Sequence, residues 1–173
     1  MLRAARDLVC DLGPRAVTVD QIASAAQVGK QTIYRWWPSR SAVVMDALIE
    51  LTDPDAAEVP EDIYEAIRLQ MRRVARIFSS RQGQLIRELV ADSQGDHDLA
   101  EDFRKRFFAH RRARGAAILE RGIATGELRA DLDVEDALDL LYAPLWLRLL
   151  VGHRSLSQAA VDRLLALAWP ALA

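Results

Sequence analysis

The run from Thr18 to Trp37 constrains this chain most. Thr18 followed three residues later by Gln21 is a capping box, in which a hydroxyl and an amide satisfy orphan backbone donors at a helix start. Val19, Ile22, Ala23 and Ala26 then recur at helical spacing and make one apolar face. Gln27-Val28-Gly29 is short enough for a tight turn, with Val28 as its apolar plug and Gly29 placed to cap the next helix. That second short helix is predicted from about Lys30 to Trp36. Ile33 and one of the two tryptophans face inward, which leaves Lys30, Gln31, Thr32, Tyr34 and Arg35 facing out.

Those outward residue types suit a DNA duplex. Lysine meets guanine O6 and N7, glutamine pairs with adenine, and a threonine methyl touches the thymine methyl. Tyr34 and Arg35 suit phosphates, which position the helix without reading sequence. Ser39 is a natural N-cap for a fourth helix running to about Leu51. Its free backbone amides offer a phosphate site, to which Arg40 adds charge. Helix pairs with polar outer faces occur in any helical bundle. Here the cap, the turn, the row of donors and the second phosphate site coincide, and that favours DNA binding.

With Val17-Thr18-Val19-Asp20-Gln21-Ile22-Ala23, Ala26, Val28, Lys30-Gln31-Thr32-Ile33-Tyr34-Arg35-Trp36-Trp37 and Ser39-Arg40 in view, the chain resembles the TetR/AcrR family of transcriptional regulators. The resemblance implies a recognition helix with a Thr-x-Tyr core, an aromatic pair, and a basic residue opening helix four. Two positions depart from the pattern: Gln27 stands where the family usually has Gly, and Gly29 where it usually has Ser. A left-handed turn residue costs little for Gly and more for Gln, so Gly29 is expected to absorb part of the strain. Helix one already includes Met1-Leu2-Arg3, with Leu2, Ala5, Leu8, Val9 and Leu12 inward. The family's basic arm before helix one is therefore either missing or outside this sequence.

The net charge is −2, but residues 1–52 carry six basic and five acidic side chains, so the part expected to face DNA is slightly basic. A net-acidic chain binds DNA when its basic groups gather on one face. Cys10 is a single cysteine, suits a reducing cytoplasm and reads as a packing residue. There is no signal-peptide pattern and no membrane-length apolar run. No P-loop, GxGxxG, GxSxG or paired-cysteine motif supports an enzyme, no cofactor is implied, and Asp96-His97-Asp98 reads as a polar turn rather than a metal site.

Division into 1–52, a helix-turn-helix DNA-binding domain, and 53–173, an effector-binding and dimerisation domain, rests on the linker Thr52 to Pro60. All later segments read as helix, giving an all-α fold of about nine helices. Helices are predicted at Ile63 to about Ser79, Gly83 to about Ser93, Leu99 to about Arg121, Val134 to Val151 behind an Asp133 cap, and Ser157 to Trp169. Pro144 is expected to kink the fourth of these. The basic run Arg104-Lys105-Arg106 and Arg111-Arg112 reads as a solvated helix face. Gly126-Glu127-Leu128-Arg129, Leu141-Tyr142-Ala143-Pro144-Leu145, Arg148-Leu149-Leu150 and Gly152 resemble a C-terminal domain of one TetR/AcrR branch, with Trp146-Leu147 in place of its aromatic pair. This second resemblance implies dimerisation through the last two helices (about 134–151 and 157–169) and an effector pocket among the middle ones. Met71, Phe78, Phe103, Phe107, Tyr142 and Trp146 are its candidate lining, though aromatic residues at helical spacing also build cores. The expected function is a homodimeric repressor, released from a palindromic operator when a small-molecule effector moves the fourth helix. The alternatives are a ligand-blind dimeric regulator and a small-molecule binding module without operator specificity.

Overall fold

The computed structural model describes residues 1–52 and 59–173, so most of the expected linker lies outside the described residues. Among them the only regular structure is helical. The helices are α1 (Leu2–Leu12), α2 (Val19–Ala25), α3 (Lys30–Trp36), α4 (Arg40–Thr52), α5 (Ile63–Phe78), α6 (Arg81–Ser93), α7 (His97–Asp102), α8 (Ala109–Thr125), α9 (Val134–Val151) and α10 (Gln158–Leu172). A π-helical stretch, Phe103–Phe108, joins α7 to α8. The predicted helix from Leu99 to Arg121 is thus helical throughout, but over one stretch its hydrogen bonds span five residues instead of four, a feature with no residue-pattern signature.

The chain forms two compact units that do not follow chain order. One gathers α1 to α4 with α6, α7 and the π-helical stretch; the other gathers α5, α8, α9 and α10. A cut at residue 52 therefore separates elements that pack together. The reason lies in α6. Leu85, Ile86 and Leu89 are almost fully buried, and this apolar stripe belongs with the core built by Ala5, Val9, Val43, Met45 and Leu48. Burial of such side chains contributes about 1.5–3 kcal/mol each. On α1, Ala5 and Val9 are buried as expected, but Leu12 is 46% exposed. Cys10 is half-buried, and burial together with Asp11 and Asp7 pushes its thiol above the ordinary range.

In the second unit, helix starts are capped by short polar side chains. Asp62 Oδ1 accepts from Glu65 N at 2.7 Å, Asp133 Oδ1 from Asp136 N at 2.9 Å, and Ser157 Oγ from Ala160 N at 3.3 Å. The Gly126-Glu127-Leu128-Arg129 segment acquires physical meaning here. Gly126 takes φ +78°, and Leu128 N donates back to Gly122 O at 3.0 Å. Glu127 Oε2 accepts from Ile63 N at 3.2 Å, and Arg129 N donates to Leu172 O at 3.0 Å, so one short loop ties α8, α5 and α10. Leu128 fills the space beside Gly122, where an added Cβ would lie 2.7 Å from Leu128 Cδ1 and 2.9 Å from Ile63 Cγ2. Aromatic edges complete the packing: Phe78 meets Trp146 at 4.8 Å and Tyr64 meets Trp169 at 4.9 Å between ring centroids. α9 stays helical through Pro144.

The basic run is not simply solvated. Arg106 reaches Asp46 and the Ala42 carbonyl, and Arg112 spans to Glu135 (2.8 Å) and Asp139 (2.5 Å). Of the run, only Arg104 and Lys105 are fully surface-facing, and Lys105 pairs with Glu101 one turn earlier. Asp96 caps α7 by accepting from Leu99 N at 3.0 Å, which gives the Asp-His-Asp triplet a structural role.

Candidate nucleic-acid interface

The capping box forms as its residues dictate. Thr18 Oγ1 accepts from Gln21 N at 3.2 Å, and Gln21 Oε1 accepts from Thr18 N at 2.8 Å. Val19, Ile22 and Ala23 face the core, and Ile33 anchors α3 at 1% exposure. The turn differs from expectation. Gln27 itself takes the left-handed conformation at φ +54°, while Gly29 is an ordinary extended N-cap at φ −74°, ψ 149°. The strain is therefore held at Gln27 and none is passed to Gly29. The turn closes through Val28 N donating to Ala23 O at 3.0 Å, which fixes the backbone geometry at Gln27 whatever its side chain prefers.

On α3, Lys30, Gln31, Tyr34 and Arg35 are exposed, and Thr32 is half-buried. Tyr34 is 51% and Trp36 66% exposed. Trp36 is thus a large exposed aromatic at the end of α3, and the choice between the two tryptophans, which the sequence left open, falls on Trp37. Trp37 is the inward one, because α3 ends at Trp36 and Trp37 turns extended (φ −129°, ψ 120°). Its Nε1 donates to Asp46 Oδ2 at 2.7 Å. Asp46 Oδ1 in turn accepts from Arg106, so the end of α3, the middle of α4 and the π-helical stretch meet at one carboxylate.

Lys30 is not free in this state. Its Nζ pairs with Asp20 Oδ1 at 2.5 Å, and that hydrogen bond raises the ammonium above its ordinary pKa. Ser39 Oγ accepts from Ala42 N at 3.1 Å and caps α4. Arg40 commits Nη1 to the carbonyls of Pro14 (2.8 Å) and Val17 (3.1 Å), so part of its fork locks the α1–α2 loop instead of pointing outward. Asp46 carried no motif signal, and although Asp20 lies in the matching run and Arg106 in the basic run, neither partner was legible, since each contact is made only in the folded unit.

Residues 1–47 match the sequence model of the bacterial regulatory proteins of the tetR family, and residues 53–168 match that of the tetracyclin repressor-like C-terminal domain. The chain is 44% identical over 153 residues to an uncharacterized HTH-type transcriptional regulator of Bacillus subtilis, YdeS, across 87% of this chain and 77% of that protein. The chain belongs to the TetR family. It is similar to the crystal structure of the TetR family transcription regulator SCO0332, at 29% identity and a TM-score of 0.83 over 98% of this chain and 94% of that one. FadR from Bacillus subtilis, solved in complex with stearoyl-CoA, shares the fold at 17% identity and a TM-score of 0.65, over 96% of this chain and 95% of that one. As a TetR-family member, the protein is a DNA-binding transcriptional regulator.

The six residues expected to line an effector pocket of this TetR-family chain are divided between the two units. Phe103 and Phe107 belong to the first unit, where their rings stack at 5.3 Å, and Phe107 is fully buried. Met71, Phe78, Tyr142 and Trp146 belong to the second. Met71 is fully buried and Phe78 nearly so. Desolvation pushes the Tyr142 phenol well above its ordinary range, and its ring lies beside Gly115.

Proposed function

We propose that the protein is a homodimeric repressor that a small-molecule effector releases from a palindromic operator. One observation supports the dimer above others: α9 is apolar on opposite faces. Ala137, Leu138, Leu141, Leu145 and Leu149 are buried within the unit, whereas Leu140, Leu147 and Val151 are 47%, 53% and 63% exposed on the other side. A helix apolar all round is a helix that is buried all round. Leu167 on α10, 80% exposed, is of the same kind. The same patch from a second copy is the self-complementary cover that two-fold symmetry supplies.

The dimer carries two α3 helices, which enter successive major grooves about 34 Å apart. Gln31 and Thr32 read base edges there, as does Lys30 once it exchanges Asp20 for DNA. Tyr34, Arg35 and the amides behind Ser39 take phosphates. Trp36 joins this surface as an aromatic contact. α4 holds the end of α3 through Asp46, so displacement of α4 by an effector carries the recognition helix with it. The effector acts by binding the two states unequally. A protein of the same fold, FadR, was solved in complex with stearoyl-CoA, which is in keeping with an effector in this chain.

Selection of random duplexes on the purified protein at stated salt is the test. One recovered palindrome with two half-sites a helical turn apart is the expected result. Recovery of no sequence at any salt sinks the operator reading and leaves a small-molecule binding module.

A further inference from the structure

The second unit contains a cleft of about 310 Å³ that none of the six expected pocket residues lines. Two helices build it. α5 contributes Gln70 and Arg73, three residues apart; α8 contributes Arg114, Ala117, Ile118 and Arg121, which fall on one face by their spacing of three, four and seven. Val59 supplies a further apolar wall. Among the described residues the lining therefore holds three guanidinium groups, one amide and three apolar side chains. Arg121 is fixed in place by donating Nη2 to Pro60 O at 2.5 Å. Its Nε is buried and has no acceptor among the described residues, an arrangement that is costly unless an acceptor arrives.

We propose that this cleft binds a small amphipathic oxyanion, with a carboxylate or phosphate on Arg73, Arg114 and Arg121 and a short apolar body against Val59, Ala117 and Ile118. The assignment rests on the reading that the second unit receives an effector, and it names the chemical class. Guanidinium presents a planar fork that matches carboxylate and phosphate geometry in paired hydrogen bonds. Gln70 adds a neutral donor beside them. The volume lies at the lower end of the roughly 300–1,000 Å³ range of small-molecule sites, so the ligand is small.

Titration calorimetry on the full chain tests the class with three probes of equal chain length: octanoate, octyl phosphate and octanol. At least one anion binds, and octanol binds at least ten-fold more weakly. Arg73→Gln and Arg114→Gln each weaken the anion at least ten-fold. Arg76→Gln, on the exposed side of α5 and outside the lining, leaves affinity unchanged. Equal affinity for octanol and the anions overturns the proposal. So does wild-type anion affinity in both cleft variants, or no heat from either anion with wild-type protein. Far-UV circular dichroism establishes that each variant is folded. Operator selection is the separate readout for the regulator reading: an anion bound by a protein that selects no operator upholds the cleft and sinks the regulator, and an operator without a bound anion does the reverse.

Discussion

The Trp37 indole Nε1–H donates a hydrogen bond to Asp46 Oδ2 at 2.7 Å, so the residue that ends the recognition helix is held by the helix after it. Asp46 is shared with Arg106, and Arg106 also donates to the Ala42 carbonyl at 3.3 Å. Position and orientation of α3 therefore depend on a carboxylate in the middle of α4. Trp37→Phe keeps an aromatic ring and deletes the donor. A hydrogen bond to a charged group is worth about 1.5–3 kcal/mol, less where solvent reaches it as here, so a loss of about 1 kcal/mol in urea unfolding is expected. Operator affinity falls with it. Unchanged affinity in a folded Trp37→Phe protein would remove Asp46 from the positioning role.

Gln27 sits at φ +54°, a region that glycine enters freely and other residues enter at a cost of about 1–2 kcal/mol. Gln27→Gly relieves that cost and gives back part of it as unfolded-state entropy. The net expectation is a gain of about 0.5 kcal/mol in urea unfolding. Gly29→Ala, where an added Cβ meets open space at an ordinary extended backbone, tests the other half of the turn and is expected to be tolerated.

Lys30 and Tyr34 are separable by salt and by sequence. Tyr34→Ala weakens operator and random duplex alike. Lys30→Ala also relaxes preference at one base pair, since a good base contact discriminates by about 1–3 kcal/mol. Asp20→Asn frees Lys30 from its ion pair and removes a carboxylate from the face that meets DNA, which raises affinity on operator and random duplex, most at low salt. Equal losses on operator and random DNA for Lys30→Ala would refute base reading by that residue.

Leu147 lies in the exposed apolar stripe of α9 and makes no part of the buried core. Leu147→Glu places a charge on a surface that dimerisation would desolvate. Sedimentation velocity is expected to show a monomer with an unchanged circular dichroism spectrum, and operator affinity drops with loss of the second half-site. A dimer that survives the substitution moves the interface elsewhere.

Arg72 and Asp162 join α5 to α10, with Nε to Oδ1 at 2.8 Å. The hydrogen bond from Arg72 holds the Asp162 carboxyl below the usual carboxylate range. A carboxylate depressed in the folded state stabilises above its unfolded pKa of about 3.9 and loses that contribution as pH falls through the folded value. Asp162→Asn is therefore destabilising at pH 7 and nearly neutral in the acid limb below that window. A destabilisation independent of pH would assign the effect of Asp162 to packing.

Local chemistry was legible along the chain. The Thr18–Gln21 capping box, the Asp133 cap, the turn at Gln27-Val28-Gly29 and the bounds of α5 and α9 all arise from interactions within a few residues, so the pattern that makes them is written in adjacent positions. The exposed row on α3 arises likewise from helical spacing around Ile33. Partners distant in sequence were settled by folding alone. Spacing cannot say that Trp37, not Trp36, turns inward, that Arg40 spends donors on Pro14 and Val17, or that Lys30 meets Asp20. Nor can it say that α6 packs with the first unit or that three arginines from α5 and α8 line one cleft. Helix periodicity specifies which face of an element is apolar; it is silent on which other face that stripe meets, because complementary apolar surfaces are interchangeable until the whole chain competes for them.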